Sequence, residues 1–287
     1  MGFKKTRYAP TPSGFLHLGN LYSMALTAAI AKKEGASILL RIDDMDKTRS
    51  KKEYLQDIFE SLNYFGLPWQ EGPKNKDEHE ALFSQGLRLG LYDHFLQGLQ
   101  NKGLVFACTC SRSEIEHAGT HAVYPGTCKH KNISLFEKNV CWRLDTSAPL
   151  KLLLNEYSKK TQQFSLPENM HHFIVRRKDG LPSYQVCSLV DDMHFGVDLI
   201  VRGEDLRDSS LAQLYLAEAA ERSEFFNSTF LHHPLLLNSQ GVKLSKSAGD
   251  TSLNYLREHG MGVSEVYALL GKQIGTEARD WEDILDY

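Results

Sequence analysis

The sequence lacks the features that would place a chain in a membrane or make it coat nucleic acid. Its 287 residues contain no run close to the ~20 apolar residues that a membrane span requires, and the start Met1-Gly2-Phe3-Lys4-Lys5 has no apolar signal segment. The formal net charge is −3, so a nucleic-acid partner would have to be met by a local basic patch. We therefore expect a cytoplasmic protein with no membrane partner.

A disulfide framework, internal repeats and low-complexity linkers are also missing. Five cysteines, an odd number, in a chain of this length do not suggest a disulfide framework, so a metal site or isolated thiols are the better expectation. The composition is 41% hydrophobic and 24% charged, which is ordinary for a globular chain of one or two domains with a large core.

The stretch from Arg7 to Asn20 is the most unusual part of the chain. It places two prolines, two glycines and His17 between a short strand and an apolar helical run. Proline fixes the backbone and glycine permits close approach of a ligand, so such a junction can present amide donors to a phosphate at a helix N-terminus. Its spacing matches neither a P-loop nor a dinucleotide-binding fingerprint. The alternative is an ordinary turn in which His17 only caps the helix or packs.

A second stretch, Lys243-Leu244-Ser245-Lys246-Ser247, carries two lysines. It lies between the apolar run Pro234 to Leu237 and the polar turn Ala248-Gly249-Asp250. This context predicts an exposed loop.

Periodicity predicts alternating helices and strands along most of the chain. A helix over 20–33 with Gly35 as its cap is followed by a strand over 38–42, which ends in Asp43-Asp44-Met45-Asp46. Carboxylates beyond a strand end lie where open α/β sheets bind ligands, although these could equally form a solvated turn or cap a helix. Further helices are predicted over 53–65, 79–102, 184–190, 211–221, 253–259 and 263–272, and further strands over 172–176 and 197–201.

The order of these elements predicts an α/β fold, a doubly wound parallel sheet split by an insertion. The predicted segments are 1–103 and 167–235 for the two halves of the catalytic domain, 104–166 for the insertion, and 236–287 for the lysine loop and a short helical C-terminal region.

The insertion contains a cysteine pattern that suits zinc. Cys108 and Cys110 form a C-x-C pair, and Cys128 follows Tyr124-Pro125-Gly126-Thr127 in a turn. Thiolates favour zinc, which can hold together a small subdomain with little core. Three unrelated buried thiols are the alternative, since Cys141 and Cys187 stand alone in the sequence.

His17-Leu18-Gly19-Asn20 and Lys243 to Ser247 resemble the HIGH and KMSKS signatures of class I aminoacyl-tRNA synthetases. Together with 40–46, Tyr184, 190–192 and 201–205, they make essentially the whole chain resemble a glutamyl-tRNA synthetase catalytic domain. The cysteine pattern and the lack of room for an anticodon-binding domain are similar to the glutamyl-queuosine tRNA(Asp) synthetase family.

This resemblance implies a Rossmann-like class I synthetase fold and a defined reaction. Glutamate would be activated by ATP and Mg²⁺ as glutamyl-adenylate and then esterified onto the queuosine base in the anticodon of tRNA(Asp). We expect a monomer with one structural zinc ion. The alternatives are a minimal glutamyl-tRNA synthetase that charges the tRNA 3′ end, or a non-catalytic module that binds tRNA or nucleotide.

The resemblance also assigns residues. The phosphates and ATP would be bound by His17, Gly19, Asn20, Lys243 and Lys246, with His17, Lys243 and Lys246 as the catalytic residues. Glutamate would be bound by Arg7, Tyr8, Ala9, Pro10, Thr11, Asp43, Tyr184 and Arg202. The family commonly has Glu where this chain has Asp43, which shortens the carboxylate that meets the ammonium group. Taken alone, Arg202 could form a surface ion pair with Glu204 or Asp205, and Tyr184 could be a core aromatic.

The family match places zinc on Cys108, Cys110, Tyr124 and Cys128. His121 and His130 are rivals for the fourth position, because a tyrosine ligand is unusual. Candidate RNA contacts are Lys129, Lys131, Arg176, Arg177 and Lys178.

Overall fold

The computed structural model describes residues 2–117, 123–237 and 252–286. The chain divides into two compact units. The first comprises Met1–Leu87, Val197–Asp205 and Phe230–Tyr287, and the second comprises Arg88–Gly196 and Leu206–Thr229. The boundaries of these two units differ from those of the four segments predicted from the sequence. The four segments stay a prediction.

The elements follow one another along the chain in an α/β order. The strands are β1 (Lys5–Tyr8), β2 (Ser37–Leu40), β3 (Val105–Cys108), β4 (Cys141–Leu144), β5 (Leu152–Glu156), β6 (Gln162–Phe164), β7 (Ile174–Arg176), β8 (Leu199–Gly203) and β9 (Thr229–His233). The α-helices are α1 (Leu18–Glu34), α2 (Lys52–Tyr64), α3 (Lys76–Glu78), α4 (Leu89–Asn101), α5 (Arg112–His117), α6 (Tyr184–His194), α7 (Arg207–Ala219), α8 (Leu253–Glu258) and α9 (Val263–Ile274).

Three strands of the first unit run in the same direction. β1 pairs in parallel with β2. β8 runs beside β1 in the same direction, since the amide of Asp198 donates to the carbonyl of Lys5 at 3.0 Å. Further along the two strands, the Arg7 side chain donates to the carbonyl of Val201 at 3.1 Å. The carboxyl ends of these strands therefore lie at one edge, where open α/β sheets bind ligands.

The helix predicted over 20–33 is confirmed as α1. It starts after His17, and it ends at Gly35, which adopts the left-handed conformation with φ of 70°. Such a conformation is costly for other residues and easy for glycine, so the predicted cap is confirmed too. Buried residues occur around much of α1, so it lies inside the first unit rather than on its surface.

The single helix predicted over 79–102 is wrong. The region forms α3, a π-helical turn over His79–Phe83, a 3₁₀ turn over Gln85–Arg88 and then α4. Ser84 is extended, with φ of −56° and ψ of 138°. Its hydroxyl donates to Asp44 at 2.7 Å, and the amide of Gln85 donates to the same carboxylate at 2.8 Å. A partner some forty residues away thus interrupts a helix that local periodicity favours.

The second unit is built from antiparallel strands. β4 lies between β3 and β7 and is antiparallel to both, and β5 pairs antiparallel with β6. Four of these strands lie in the segment that the sequence marked only as a polar insertion. The α/β class is confirmed, but the single parallel sheet is not: β1 and β2 form a parallel pair, β3, β4 and β7 form a separate antiparallel sheet, and a third sheet has the strand order β6-β5-β9-β8.

The C-terminal helices agree with the predictions over 253–259 and 263–272. α8 and α9 pack with α1, α2 and β2 in one apolar core, which includes Leu21, Ile58, Leu256, Val266 and Tyr267. Within the three described stretches, no helix is both long and apolar enough to cross a membrane.

Candidate active site and metal centre

His17 forms the cap of α1 at the carboxyl edge of the parallel strands. Its Nδ1 accepts a hydrogen bond from the amide of Gly19 at 3.1 Å, and the Asn20 side chain accepts one from the amide of His17 at 3.1 Å. The capping role that the sequence offered as an alternative is therefore real. With Nδ1 acting as an acceptor, the neutral ring carries its proton on Nε2, which is then a donor.

Gly19 is required beside this ring. A Cβ atom built at position 19 would lie 3.0 Å from both Cε1 and Nδ1 of His17. That distance is shorter than ordinary carbon contacts, so a side chain at position 19 would displace the imidazole. The glycine of the motif thus sets the orientation of the histidine.

The residue before the cap is held by α2 and by the start of α8. The amide of Leu16 donates to Asp57 at 2.9 Å, and the carbonyl of Leu16 accepts from the amide of Leu253 at 2.7 Å. Arg257 donates to Asp57 at 3.0 Å and to Ser61 at 2.8 Å. Burial raises the pKa of Asp57, and the Leu16 amide and the charge of Arg257 oppose that rise. The start of α8 is therefore tied directly to the His17 turn.

Asp43 lies beside the Arg7 to Thr11 segment. The amide of Arg41 donates to the carbonyl of Tyr8, and the amide of Asp43 donates to the carbonyl of Pro10, both at 2.9 Å. The two chain segments thus continue the parallel pairing beyond the ends of β1 and β2. This pairing brings together two groups of residues that the sequence assigned to glutamate.

Arg41 binds the Asp43 carboxylate with both arms of its guanidinium group. Nε donates to Oδ1 at 2.8 Å and Nη2 donates to Oδ2 at 3.1 Å. Both side chains are buried. The sequence analysis did not predict Arg41 as the partner of Asp43, although residues two apart in an extended segment lie on the same face. The arginine fixes the plane of the carboxylate.

Asp44 organises the polypeptide next to this acid. Its carboxylate accepts hydrogen bonds from Ser84 and from the amide of Gln85, and it contacts Lys47 at 2.5 Å and His79 at 3.2 Å. Burial alone would raise the pKa of Asp44, but these hydrogen bonds hold it well below its usual range. The interpretation of the acidic stretch as a solvated turn is therefore wrong for Asp44, which is 4% exposed.

The two arginines assigned to glutamate are buried. Arg7 and Arg202 are each 4% exposed, and the Arg202 guanidinium carbon lies 5.2 Å from the centre of the Phe230 ring. A surface ion pair is therefore not the role of Arg202. Tyr8 is also buried, and its hydroxyl has no hydrogen-bond partner among the described residues. Burial, with a smaller effect of Tyr267, raises the pKa of Tyr8.

The remaining assigned residues divide into three groups. Ala9 is partly buried, Pro10 is buried and Thr11 is exposed. Tyr184 belongs to the second unit, where it starts α6 and is 43% exposed, so it is not a core aromatic. Lys243 and Lys246 lie outside the described residues.

The second unit brings the three predicted cysteine ligands together. The Sγ atoms of Cys108, Cys110 and Cys128 all lie within 4.8 Å of one another. The hydroxyl of Tyr124 accepts a hydrogen bond from the amide of Cys128 at 2.8 Å. Cys108 ends β3 and Cys128 lies in the turn that Gly126 starts, so a strand end and a tight turn position the sulfur atoms. The alternative of three unrelated buried thiols is wrong, because the three sulfur atoms lie close together.

Cys141 and Arg143 complete the surroundings of this cluster. Cys141 lies opposite Cys108 in the β3–β4 pair, and its Sγ is 3.4 Å from the Cys108 carbonyl. The Arg143 guanidinium carbon lies 3.7 Å from the centre of the Tyr124 ring. A hydrogen bond from Cys141 lowers the pKa of Cys108 to about 3, against burial and with help from Tyr124 and Arg143. Burial raises the pKa of Cys110 to about 12.

From the sequence, we interpreted Cys141 as an isolated cysteine. No local pattern links Cys141 to Cys108, because the two residues meet only through the antiparallel pairing of β3 and β4. Of the two rival histidines, His130 is exposed and does not join the described cysteine cluster, and His121 lies outside the described residues.

Several of the candidate RNA contacts already have protein partners. Lys129 pairs with Asp145 at 2.9 Å, and Arg177 pairs with Asp179 at 2.6 Å. The Arg176 guanidinium carbon lies 5.0 Å from the centre of the Trp142 ring.

The chain is similar to known proteins in sequence and in fold. Residues 4–271 match the family model of tRNA synthetases class I (E and Q), catalytic domain. A glutamyl-Q tRNA(Asp) synthetase of Prochlorococcus marinus is 35% identical over 274 residues, covering 92% of this chain and 79% of the relative. Another, from Nocardia farcinica, is 33% identical, covering 97% of this chain and 87% of the relative. A glutamate-tRNA ligase 2 of Syntrophus aciditrophicus is 31% identical, but the chain spans only 58% of its length.

Solved structures share the fold. The crystal structure of a glutamate-tRNA synthetase from Elizabethkingia anophelis is similar with a TM-score of 0.77 and 21% identity, over 99% of this chain and 65% of that chain. A glutamate tRNA ligase from Elizabethkingia meningosepticum is similar with a TM-score of 0.69 and 24% identity, over 86% of this chain and 52% of that chain.

Proposed function

We propose that this chain, which belongs to the class I tRNA synthetase catalytic-domain family for glutamate and glutamine, transfers glutamate to the queuosine base in the anticodon of tRNA(Asp). The family makes it an aminoacyl-tRNA synthetase-type ligase. One observation carries the proposal. The turn in which His17 caps α1 and the buried Arg41–Asp43 ion pair both lie at the edge where the parallel strands end. That edge can receive a nucleotide and an amino acid side by side.

The first step is the activation of glutamate. An oxygen of its α-carboxylate attacks the α-phosphorus of ATP, and the bond to the β-phosphate breaks, giving glutamyl-adenylate and pyrophosphate. Catalysis of such a step depends on positioning and on stabilising charge as it develops on the phosphates. We assign the Nε2 donor of His17, the turn at Gly19 and Asn20, and Lys246 with support from Lys243, to these phosphates. Mg²⁺ would accompany the nucleotide.

Glutamate recognition is assigned to the buried charges of the same edge. Arg7 and Arg202 suit the side-chain carboxylate, because a guanidinium group meets a carboxylate through two parallel hydrogen bonds. Asp43 suits the ammonium group, and Arg41 orients the shorter carboxylate for that contact. Tyr8, Ala9, Pro10 and Thr11 would line the amino acid, with Tyr184 as an orienting phenol.

The cysteine cluster is assigned to one structural zinc ion. Three buried or half-buried sulfur atoms within 4.8 Å of one another fit a tetrahedral ion with Zn–S bonds of about 2.3 Å. Tyr124 is our fourth ligand, since its hydroxyl lies against the Cys128 amide. Zinc would hold the turn around Cys128 to the end of β3. It would take no part in the chemistry.

Transfer follows adenylate formation. A hydroxyl of the queuosine cyclopentene diol attacks the adenylate carbonyl, an ester forms, and AMP leaves with the electrons of the broken bond. That diol resembles the ribose diol at a tRNA 3′ end, so the same machinery could serve either acceptor. The 31% identity to a glutamate-tRNA ligase supports charging of the 3′ end as the second candidate.

The acceptor is tested with labelled glutamate and four forms of tRNA(Asp). The RNA either contains or lacks queuosine, and its terminal adenosine is either present or removed enzymatically. Removal is preferable to periodate, which would also cleave the queuosine diol. We expect labelling that requires queuosine and survives loss of the terminal adenosine. Labelling that requires the terminal adenosine would identify a conventional glutamyl-tRNA synthetase. Glutamate-dependent exchange of pyrophosphate into ATP without RNA tests activation separately.

A further inference from the structure

A cavity of about 570 Å³ opens in the second unit beside the cysteine cluster. It borders Cys110 and Cys141, but neither Cys108, Cys128 nor Tyr124 is part of its lining. The cavity therefore adjoins the metal centre through Cys110 but does not include the other assigned ligands. Its size lies within the range of about 300 to 1,000 Å³ that is typical of sites for small organic ligands, so it can hold one nucleotide.

Four cations contribute to a lining that is otherwise largely apolar. Arg112, Arg143, Arg177 and Lys178 line the cavity with one acidic residue, Glu116, and Arg177 is also paired with Asp179. The whole chain carries a net charge of −3, so this positive charge is a local feature. Such a concentration of cations inside a concave surface attracts an anion.

Arg143 is the buried member of this set. It is 6% exposed, its Nη1 donates to the His172 carbonyl at 2.9 Å, and its guanidinium group lies over the Tyr124 ring. Its Nε has no hydrogen-bond partner within the described part of the chain. A buried donor without an acceptor is unfavourable. An anion bound in the cavity within reach of Nε would supply the acceptor.

The exposed cations are positioned at the same cavity. Lys178 donates to the carbonyl of Thr109 at 2.5 Å, which ties its ammonium group to the segment between Cys108 and Cys110. An ammonium has three donors and a guanidinium five, so Lys178, Arg112 and Arg177 can contact a phosphate while keeping contacts to protein.

The walls suit a base as well as a phosphate. Ile115 and Ile174 contribute apolar side chains to the lining. An unstacked base of an RNA loop can lie against an apolar side chain or an arginine plane, which is a common way for proteins to bind single-stranded RNA. Free ATP is less suitable, because the proposed ATP site lies at the strand edge of the first unit.

We propose that the cavity lined by Arg112, Arg143, Arg177, Lys178, Ile115 and Ile174 binds one unstacked nucleotide of the substrate RNA through its phosphodiester and base. This inference rests on one part of the proposed function, namely that the substrate is an RNA. It applies whether glutamate is transferred to queuosine or to the 3′ end.

The test measures the affinity of the full chain for tRNA(Asp) by fluorescence anisotropy over a series of salt concentrations. The variants are Arg112→Gln and Lys178→Gln, which change exposed side chains. Lys160→Gln is the matched control, because Lys160 is exposed in the same unit and outside the cavity lining. We expect each cavity variant to bind RNA more weakly and to lower the slope of log affinity against log salt by about 0.7, the value for one lost single-strand phosphate contact. The control should change neither quantity.

Other outcomes separate this inference from the proposed function. Unchanged RNA affinity in both cavity variants, or an equal loss in Lys160→Gln, would overturn the cavity assignment and leave the acceptor experiment unaffected. A parallel loss of ATP–pyrophosphate exchange without RNA would also overturn it, because the cavity would then serve adenylate formation. Labelling of the terminal adenosine would overturn the queuosine acceptor alone. Failure of the unaltered chain to bind either form of tRNA(Asp) would overturn both.

Discussion

Arg41 and Asp43 form a buried bidentate ion pair, with Nε to Oδ1 at 2.8 Å and Nη2 to Oδ2 at 3.1 Å. The pair follows the end of β2, and the amide of Asp43 bonds to Pro10 in the segment after β1. The ion pair fixes the plane of the Asp43 carboxylate, which we assign to the ammonium group of glutamate.

Asp43→Asn should weaken glutamate binding. The substitution keeps the shape but removes the charge, and a hydrogen bond to a charged group contributes about 1.5–3 kcal/mol, so we expect the KM for glutamate to rise roughly 10- to 100-fold. The measurement is ATP–pyrophosphate exchange as a function of glutamate concentration. Asp43→Glu, which keeps the negative charge, should stay closer to the parent than Asp43→Asn. An unchanged KM in Asp43→Asn would remove Asp43 from the ammonium site.

His17 allows capping and catalysis to be separated. Asparagine is a good helix cap but lacks the Nε2 donor, whereas alanine lacks both functions. We expect His17→Asn to keep the melting temperature near that of the parent while exchange falls by roughly 10² or more, and His17→Ala to lose both stability and exchange. If His17→Asn exchanged pyrophosphate normally, the histidine would be a cap and nothing more.

How well the sequence predicted these features depended on how local the interactions are. The limits of α1 follow from His17 and Gly35 within the helix itself, and they were predicted. The break at Ser84 depends on Asp44 forty residues earlier, and the approach of Cys141 to Cys108 depends on antiparallel register. Neither of these two contacts leaves a pattern among neighbouring residues, so the periodicity of the sequence could not predict them.

The same limit applies to the candidate sites. The three cysteines were identified because C-x-C and a Pro-Gly turn are local signals, while the cavity beside them needs side chains from α5, β4 and the turn after β7. Its residues are about sixty positions apart in the sequence, and only two of its cations, Arg177 and Lys178, were singled out as RNA contacts. The positive cavity emerges only when these segments are folded together.

Asp44 should contribute stability that acid removes. Its pKa is lower in the folded chain than the ordinary value of about 3.9, so its contribution is complete above about pH 4 and declines as pH falls below that value. Asp44→Asn breaks a buried network, and we expect a loss of about 3 kcal/mol at pH 7. Urea unfolding at several pH values should show the difference between parent and variant shrinking in acid. A difference that is constant down to pH 2 would contradict the assignment.

Protein purified without chelators should contain one zinc ion per chain by elemental analysis. Cys108→Ser and Cys128→Ser should lose the metal, because thiolates are the ligands that zinc favours at such a site. Tyr124→Phe distinguishes the fourth ligand, and Cys141→Ser is its control, since Cys141 lies against Cys108 but outside the three-cysteine cluster. Full zinc content in Tyr124→Phe would exclude the tyrosine alone. Absence of zinc from the unaltered chain would exclude the site.

Arg202 should determine the choice of glutamate over glutamine. It is buried against Phe230, and a guanidinium group can pair with a side-chain carboxylate through two hydrogen bonds that an amide cannot match. Arg202→Lys keeps the positive charge but cannot donate two parallel hydrogen bonds to the carboxylate. We therefore expect the KM for glutamate to rise roughly tenfold or more with a smaller change in kcat. The preference for glutamate over glutamine, measured as the ratio of kcat/KM values in exchange, should fall. Arg49→Gln, an exposed arginine of the same unit, is the control. A higher KM for ATP with unchanged glutamate selectivity would place Arg202 at the nucleotide instead.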